Sequence, residues 1–103
     1  MPLIFSYGTL QRREVQLATF GRALHGEPDT FPGYTLSSVF SSGATHANLT
    51  RADGNAGAVQ GTAFTIADDE LAATDDYEAP FGYRRREVTL QSGRVAWVYV
   101  YRP

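Results

Sequence analysis

The sequence predicts an α+β domain whose sheet is curled or closed. Strand-type segments outnumber helical ones, roughly six to two by pattern. Helices and strands do not alternate in the regular βαβ order of a doubly wound sheet. With 43% hydrophobic and 13% aromatic residues, the 103-residue chain carries enough apolar side chains for one core. No repeat or linker interrupts it, so a single domain over residues 1–103 is expected.

Leu3 to Tyr7 is a short, nearly all-apolar run, the pattern of a strand buried on both faces, and Gly8 ends it. From Glu14 to Phe20, the residues Val15, Leu17, Ala18 and Phe20 fit a helix, with Gly21 placed to close it. Arg22 to Phe40 reads as two strands punctuated by Asp29 and by Pro32-Gly33. Ser41 to Gly57 is rich in Gly, Ser, Asn and Asp and reads as one long loop, with room for a short pairing around Ala47 to Thr50. Ala58 to Ile66 is strand-like, and Gly61 within it marks either a bulge or a close backbone approach. Asp68 is placed as the N-cap of a helix running from Asp69 to about Glu78 and stopping before Pro80. Tyr83–Leu90 and Arg94–Tyr101 form a hairpin through Gln91-Ser92-Gly93.

Composition removes several chemistries. There is no cysteine, so disulfides, thiolate metal sites and a cysteine nucleophile are excluded. All nine basic residues are arginine, which removes Schiff-base lysines and a phosphate-binding P-loop lysine. A formal net charge of −2 gives no basic face for a nucleic-acid partner. No window approaches the ~18 apolar residues of a membrane span, and MPLIFSYGTL lacks a basic leader, so a cytoplasmic protein without a membrane partner is expected. His25 and His46 stand far apart without carboxylates at ligand-like spacing, so no metal is expected. Ser37, Ser38, Ser41 and Ser42 lack a nucleophile-elbow context.

Three features can carry chemistry. The Tyr7-Gly8-Thr9-Leu10 turn follows a buried strand, and successive backbone N–H groups in such a turn can converge on an anion. Read as plain structure, it is an ordinary strand-ending turn. Glu78 lies seven residues after Leu71, the helix's only large aliphatic side chain, and so shares its inward face, with Asp69 and Asp76 turned towards water. An inward glutamate at a helix C-terminus resists ionisation, because burial and the helix dipole both oppose the charge. That suits a general acid/base at neutral pH. In the alternative, the helix frays before Glu78, which then sits in water or pairs with Arg84 or Arg85. The third feature is Tyr83-Arg84-Arg85: alternation puts Tyr83 and Arg85 on one face and Arg84 and Arg86 on the other, unless a bulge intervenes. An arginine beside the Glu78 pocket can hold a substrate carboxylate in bidentate fashion, although a run of arginines also fits a solvated strand face.

The order of these features resembles the γ-glutamylcyclotransferase-like (AIG2-like) superfamily across nearly the whole chain. Tyr7-Gly8-Thr9-Leu10 after an apolar strand looks like the family's opening signature. Val59-Gln60-Gly61-Thr62-Ala63-Phe64 is similar to its V-x-G-x-h-F/Y strand, where h is apolar. Asp75-Asp76-Tyr77-Glu78 resembles its D-x-Y/F-E, whose glutamate is catalytic, and Tyr83-Arg84-Arg85 and Val98-Tyr99 follow in order. The resemblance implies a small, mostly β barrel with two short helices beside it. It also implies a cavity between the YGTL turn and Glu78, and a small γ-glutamyl substrate cyclised to 5-oxoproline without a cofactor. Glu78 would be the acid/base, and Tyr7, Gly8, Thr9, Leu10, Tyr83 and Arg85 would bind substrate. Relatives specific for γ-glutamylamines carry a Lys and a G-Q-x-N-like stretch where this chain has Gln11-Arg12-Arg13-Glu14, which leaves the substrate open. The alternative reading is a non-catalytic module that binds a small carboxylate-bearing metabolite in the same pocket. Oligomeric state is not legible.

Overall fold

A computed structural model describes residues 1–41, 43–52 and 57–102, with only the backbone at positions 39, 41, 44 and 46. In chain order the elements are β1 (Leu3–Ser6), a 3-10 turn (Thr9–Gln11), α1 (Arg13–Phe20), β2 (Gly26–Pro32), β3 (Tyr34–Ser41) and β4 (Ala44–Arg51). They continue with β5 (Ala58–Thr65), α2 (Asp68–Glu78), a 3-10 turn (Ala79–Phe81), β6 (Tyr83–Thr89) and β7 (Val95–Tyr101). Five strands form a mixed sheet in the order β2-β5-β1-β7-β6, and β3-β4 form a separate two-stranded sheet. β1 is central, antiparallel to β5 and parallel to β7.

Burial on both faces explains the apolar run of β1. Phe5 and Ile4 point to opposite sides and are 2% and 1% exposed. Phe5 packs with Phe31, Val59, Ala63 and Val98, and Leu49 of the β3–β4 hairpin closes that face. Ile4 packs with Phe64, Ile66 and Tyr99, and the helices cover that face through Val15, Phe20, Leu71 and Tyr77. Each such large side chain fully buried contributes about 1.5–3 kcal/mol.

The α+β class is as expected, but the sheet is not closed into a barrel. β2 and β6 are its two edges, and the chain leaves the sheet after β2 to build the hairpin. Pro28 and Pro32 lack N–H groups, which suits β2 to an edge position. Seven strands replace the roughly six of the sequence pattern. The additional one is β4, where a loop was expected: its register with β3 runs unbroken from Tyr34↔Arg51 to Ser41↔Ala44. The expected loop's Ser42 and residues 53–56, and the side chain of His46, lie outside the described residues.

Asp29 does not break its segment but sits buried within β2. Its carboxylate accepts bonds from the Ser92 hydroxyl at 2.6 Å, the Thr30 amide at 2.8 Å and Arg94 Nη2 at 2.8 Å. Burial opposes its charge, but these bonds outweigh burial and hold its pKa below the ordinary range. The β6–β7 turn is thereby tied to the far edge of the sheet. The α2 N-cap is Ala67 rather than Asp68, and the Glu70 carboxylate accepts the Ala67 amide at 2.8 Å. Gly21 closes α1 in the left-handed conformation, at φ 74°. Among the described residues no helix is long and apolar enough to cross a membrane.

Gly61 is a point of close approach and not a bulge, since β5 keeps a regular register with both neighbours. A Cβ there would lie 2.6 Å from Phe5 Cζ and against the Ser6 carbonyl. Gly61→Ala should therefore cost about 1–3 kcal/mol through overpacking of β1. The check is the urea midpoint of the variant; an unchanged midpoint would contradict the close approach.

Candidate active site

Where β1 ends, Tyr7 and Gly8 lead into the 3-10 turn. Gly8 O accepts the Gln11 amide at 3.1 Å, and Thr9 O accepts the Arg12 amide at 2.9 Å. The amides of Thr9 and Leu10 take no partner among the described residues. Apart from its chain neighbours Tyr7 and Thr9, no described residue lies within 4 Å of where a Gly8 side chain would begin, so a ligand can approach this backbone. The turn is fixed from behind by Gln16 of α1, which is buried. Its Nε2 donates to Leu10 O at 2.8 Å and its Oε1 accepts the Leu24 amide at 2.8 Å. Sequence reasoning passed over Gln16. The available signal was a polar residue sharing a helix face with Phe20.

A cavity of about 410 Å³ opens beside this turn. Tyr7, Gly8, Thr9 and Leu10 form one wall, and Tyr77, Glu78 and Phe81 another. Tyr83 and Tyr99 of the sheet and Thr45 and Ala47 of β4 complete it. The Thr9 hydroxyl and the Tyr77 hydroxyl are 2.9 Å apart, joining the turn to the C-terminal end of α2. The Tyr83 hydroxyl donates to Ala47 O, joining the sheet to the hairpin.

Glu78 is the last residue of α2, which does not fray before it. Thr74 on the same side is fully buried, and Leu71 packs into the helix-side core. Asp69 and Asp76 are exposed. The Glu78 carboxylate has no hydrogen bond or ion pair among the described residues, and burial alone pushes its pKa up to about 7. The Tyr7 and Tyr99 phenols are pushed up as well. Burial, followed by the nearby Tyr83 and Glu78, raises Tyr7. Burial and the hydrogen bond to Asp75 raise Tyr99. Their hydroxyls are also engaged: Tyr7 donates to Tyr99 O at 2.6 Å, and Tyr99 donates to Asp75 Oδ1 at 2.6 Å. Among the described lining residues Glu78 is the one carboxylate.

The arginines are placed differently from expectation. Arg85 does not line the cavity. Its Nε lies 3.4 Å from Asp75 Oδ1, and its guanidinium stands 4.6 Å from the centre of the Trp97 ring. Arg84 Nε donates to Arg102 O, so neither pairs with Glu78. No bulge intervenes in β6, whose pairing with β7 is regular from Tyr83↔Tyr101 to Thr89↔Val95. As an edge strand, β6 leaves its charged side chains in water while Val88 still reaches the core. Among the described residues no three of His, Cys, Asp and Glu gather as a metal-binding group.

Comparison with known proteins matches residues 4–103 to the family described as Gamma-glutamyl cyclotransferase, AIG2-like. The chain belongs to this family. A search of curated proteins finds no match to this AIG2-like chain. Among solved structures it is similar to a solution structure from Arabidopsis thaliana, with 22% identity and a TM-score of 0.78 over 97% of this chain and 61% of that one. It is similar to an uncharacterized protein from Pyrococcus horikoshii, with 22% identity and a TM-score of 0.67 over 98% of this chain and 78% of that one. A structure named gamma-glutamyl cyclotransferase gives 17% identity and a TM-score of 0.76 over 95% of this chain and 64% of that one. At these identities the likeness concerns the fold, and the chain spans less than two thirds of the first and third of these relatives.

The raised pKa of Glu78 has a measurable linkage. The folded state holds a proton on Glu78 up to about pH 7, whereas the unfolded chain releases it near 4.5. Glu78 therefore makes stability fall as pH rises through that window, by roughly 3–4 kcal/mol in total. Glu78→Gln should remove this component and be more stable than wild type at pH 8. Denaturant titrations of both proteins at pH 4.5, 6 and 8 test this, and parallel profiles would refute the burial of Glu78.

Proposed function

We propose that the chain is a γ-glutamylcyclotransferase-like enzyme that converts a small γ-glutamyl amide to 5-oxoproline and a free amine. The observation that carries this reading is the unpaired Glu78 carboxylate facing the Tyr7–Leu10 turn across one cavity. The substrate's glutamyl end lies against the Gly8, Thr9 and Leu10 backbone, where the Thr9 and Leu10 amides receive its carboxylate or its γ-carbonyl oxygen, while the Gly8 amide donates to Ser6 Oγ at 3.3 Å. The neutral α-amine attacks its own γ-carbonyl carbon, forming the ring N–C bond, and Glu78 takes the proton that the amine loses. As the original amide C–N bond breaks, Glu78 returns that proton to the departing nitrogen. Atoms and charge balance without an external reactant.

Both reacting groups belong to one molecule, so holding the folded-back conformer supplies much of the acceleration. A carboxyl with a pKa of about 7 is half ionised at neutral pH and can serve in both directions. Tyr7, Tyr83 and Tyr99 shape the cavity, and their high pKa values keep them out of the proton transfer. Arg85 supports the site at one remove, by holding the Asp75 that anchors the Tyr99 hydroxyl.

The test is 5-oxoproline release from γ-glutamyl amino acids, γ-glutamylamines and glutathione by wild type and Glu78→Gln. Wild type should yield product, and the variant should lose at least ~10²-fold in kcat while still binding substrate. Equal turnover by the variant would remove Glu78 from the mechanism. Binding without turnover by either protein would favour a metabolite-binding module.

A further inference from the structure

Among the described residues, three of the four sheet edges are blocked or charged. β2 carries Pro28 and Pro32, and its Thr30 O accepts the Gln91 amide at 2.8 Å. β6 carries Arg84, Arg85, Arg86 and Glu87, and charges of this kind discourage edge pairing. β4 turns towards the body of the domain: Ala47 O accepts the Tyr83 hydroxyl, and Asn48 Oδ1 accepts the Tyr101 amide at 3.2 Å. β3 has none of these protections. Its eight residues, Tyr34–Ser41, include no charge and no proline, and among the described residues no strand pairs with its outer side.

The same strand carries exposed apolar side chains. Leu36 is 57% exposed and Phe40 76%. Alternation places both on one face, with the exposed Ser38 between them. Across the hairpin Leu36 faces Leu49, which is buried, so the body of the domain lies beneath β4 and β3 overhangs it. The overhang leaves room for another chain alongside. A two-stranded sheet is also marginal by itself, and further strands make it stable.

We propose that β3 is the interface between two copies of this chain, paired antiparallel about a two-fold axis at Ser38 to form one four-stranded sheet, β4-β3-β3-β4. In that register Leu36 of each copy stands opposite Phe40 of the other, so the apolar side chains of both copies meet on one face. A strand without charge meets its own copy without repulsion. Two phenylalanines at ~150–250 Å² each, with two leucines and the paired backbones, bring the buried area to the order of 1,000 Å², the lower range for a specific interface. An interface of that size gives a reversible, concentration-dependent dimer. Thr45 and Ala47 of β4 line the cavity, so the pairing also steadies that wall, whatever the cavity binds.

Sedimentation velocity over a concentration series reads the association directly. Wild type should pass from monomer to dimer as its concentration rises. Leu36→Lys and Phe40→Glu each set a charge against an apolar partner and should each raise the dimer Kd at least tenfold. Both positions are exposed in the single chain, so neither change disturbs the core. Mixing the two variants tests the register. The introduced lysine of one then faces the introduced glutamate of the other, while the second pair remains Phe40 against Leu36. The mixture should recover a heterodimer at concentrations where neither variant self-associates, and that recovery also shows both variants to be folded. A wild type that stays monomeric throughout overturns the proposal. A dimer that survives both substitutions lies on another surface and overturns it as well. Loss of the dimer in each variant, without recovery on mixing, overturns the pairing about Ser38.

Discussion

β1 must be buried on both faces, and the rest of the molecule is arranged to meet that demand. Its four residues lie at the centre of the five-stranded sheet, with the β3–β4 hairpin over Phe5 and both helices over Ile4. A strand so enclosed ends at a fixed point, and the Tyr7-Gly8 backbone leaves from there. The turn's position thus follows from core packing, with Gln16 binding Leu10 O as a second constraint. Gly61 permits this centre, because any side chain on it would push β1 out of place.

The cavity wall opposite depends on a different balance. Glu78 is kept partly from water without a partner among the described residues, an arrangement that opposes folding at neutral pH. Two phenols that line the same cavity are engaged elsewhere: Tyr7 donates to Tyr99 O and Tyr99 donates to Asp75. Asp75 is in turn held by Arg85. Those contacts engage Arg85 and the two hydroxyls with partners other than Glu78. The polar network around the site therefore isolates the carboxylate, and its proton affinity comes from what is withheld from it.

Much of this was legible in the sequence where one residue's periodicity speaks for itself. The nearly all-apolar run Leu3–Tyr7 reads as a doubly covered strand, and the seven-residue spacing from Leu71 turns Glu78 inward. Other features depend on partners distant in sequence. β4 lacks apolar alternation because much of the hairpin is exposed. It is held by its register with β3, by buried Leu49 and by Asn48 Oδ1, which accepts the Tyr101 amide at 3.2 Å. Arg85 shares the inward face of β6 by alternation, yet Asp75 and Trp97 intercept it before the cavity, and no local pattern announces that. Closure of the sheet was likewise not readable, since it turns on whether β2 and β6 find each other.

The site also requires that its two halves stay in register, because the turn belongs to the start of the chain and Glu78 to a helix far along it. The Thr9–Tyr77 hydroxyl bond joins them directly, with Tyr77 adjacent to Glu78. At the other end of α2, Arg22 makes a bidentate pair with Glu70, both contacts at 2.8 Å. Glu70 also accepts the Ala67 amide, so one side chain fixes the helix start and ties it to the segment after α1. An exposed pair of this kind adds little stability by itself. Its effect is geometric: a helix pinned at both ends to the chain that carries the turn cannot slide or rotate without breaking a bond at each. The distance between backbone donors and carboxylate is then set by the fold before any ligand arrives, which is what an intramolecular reaction needs from its protein.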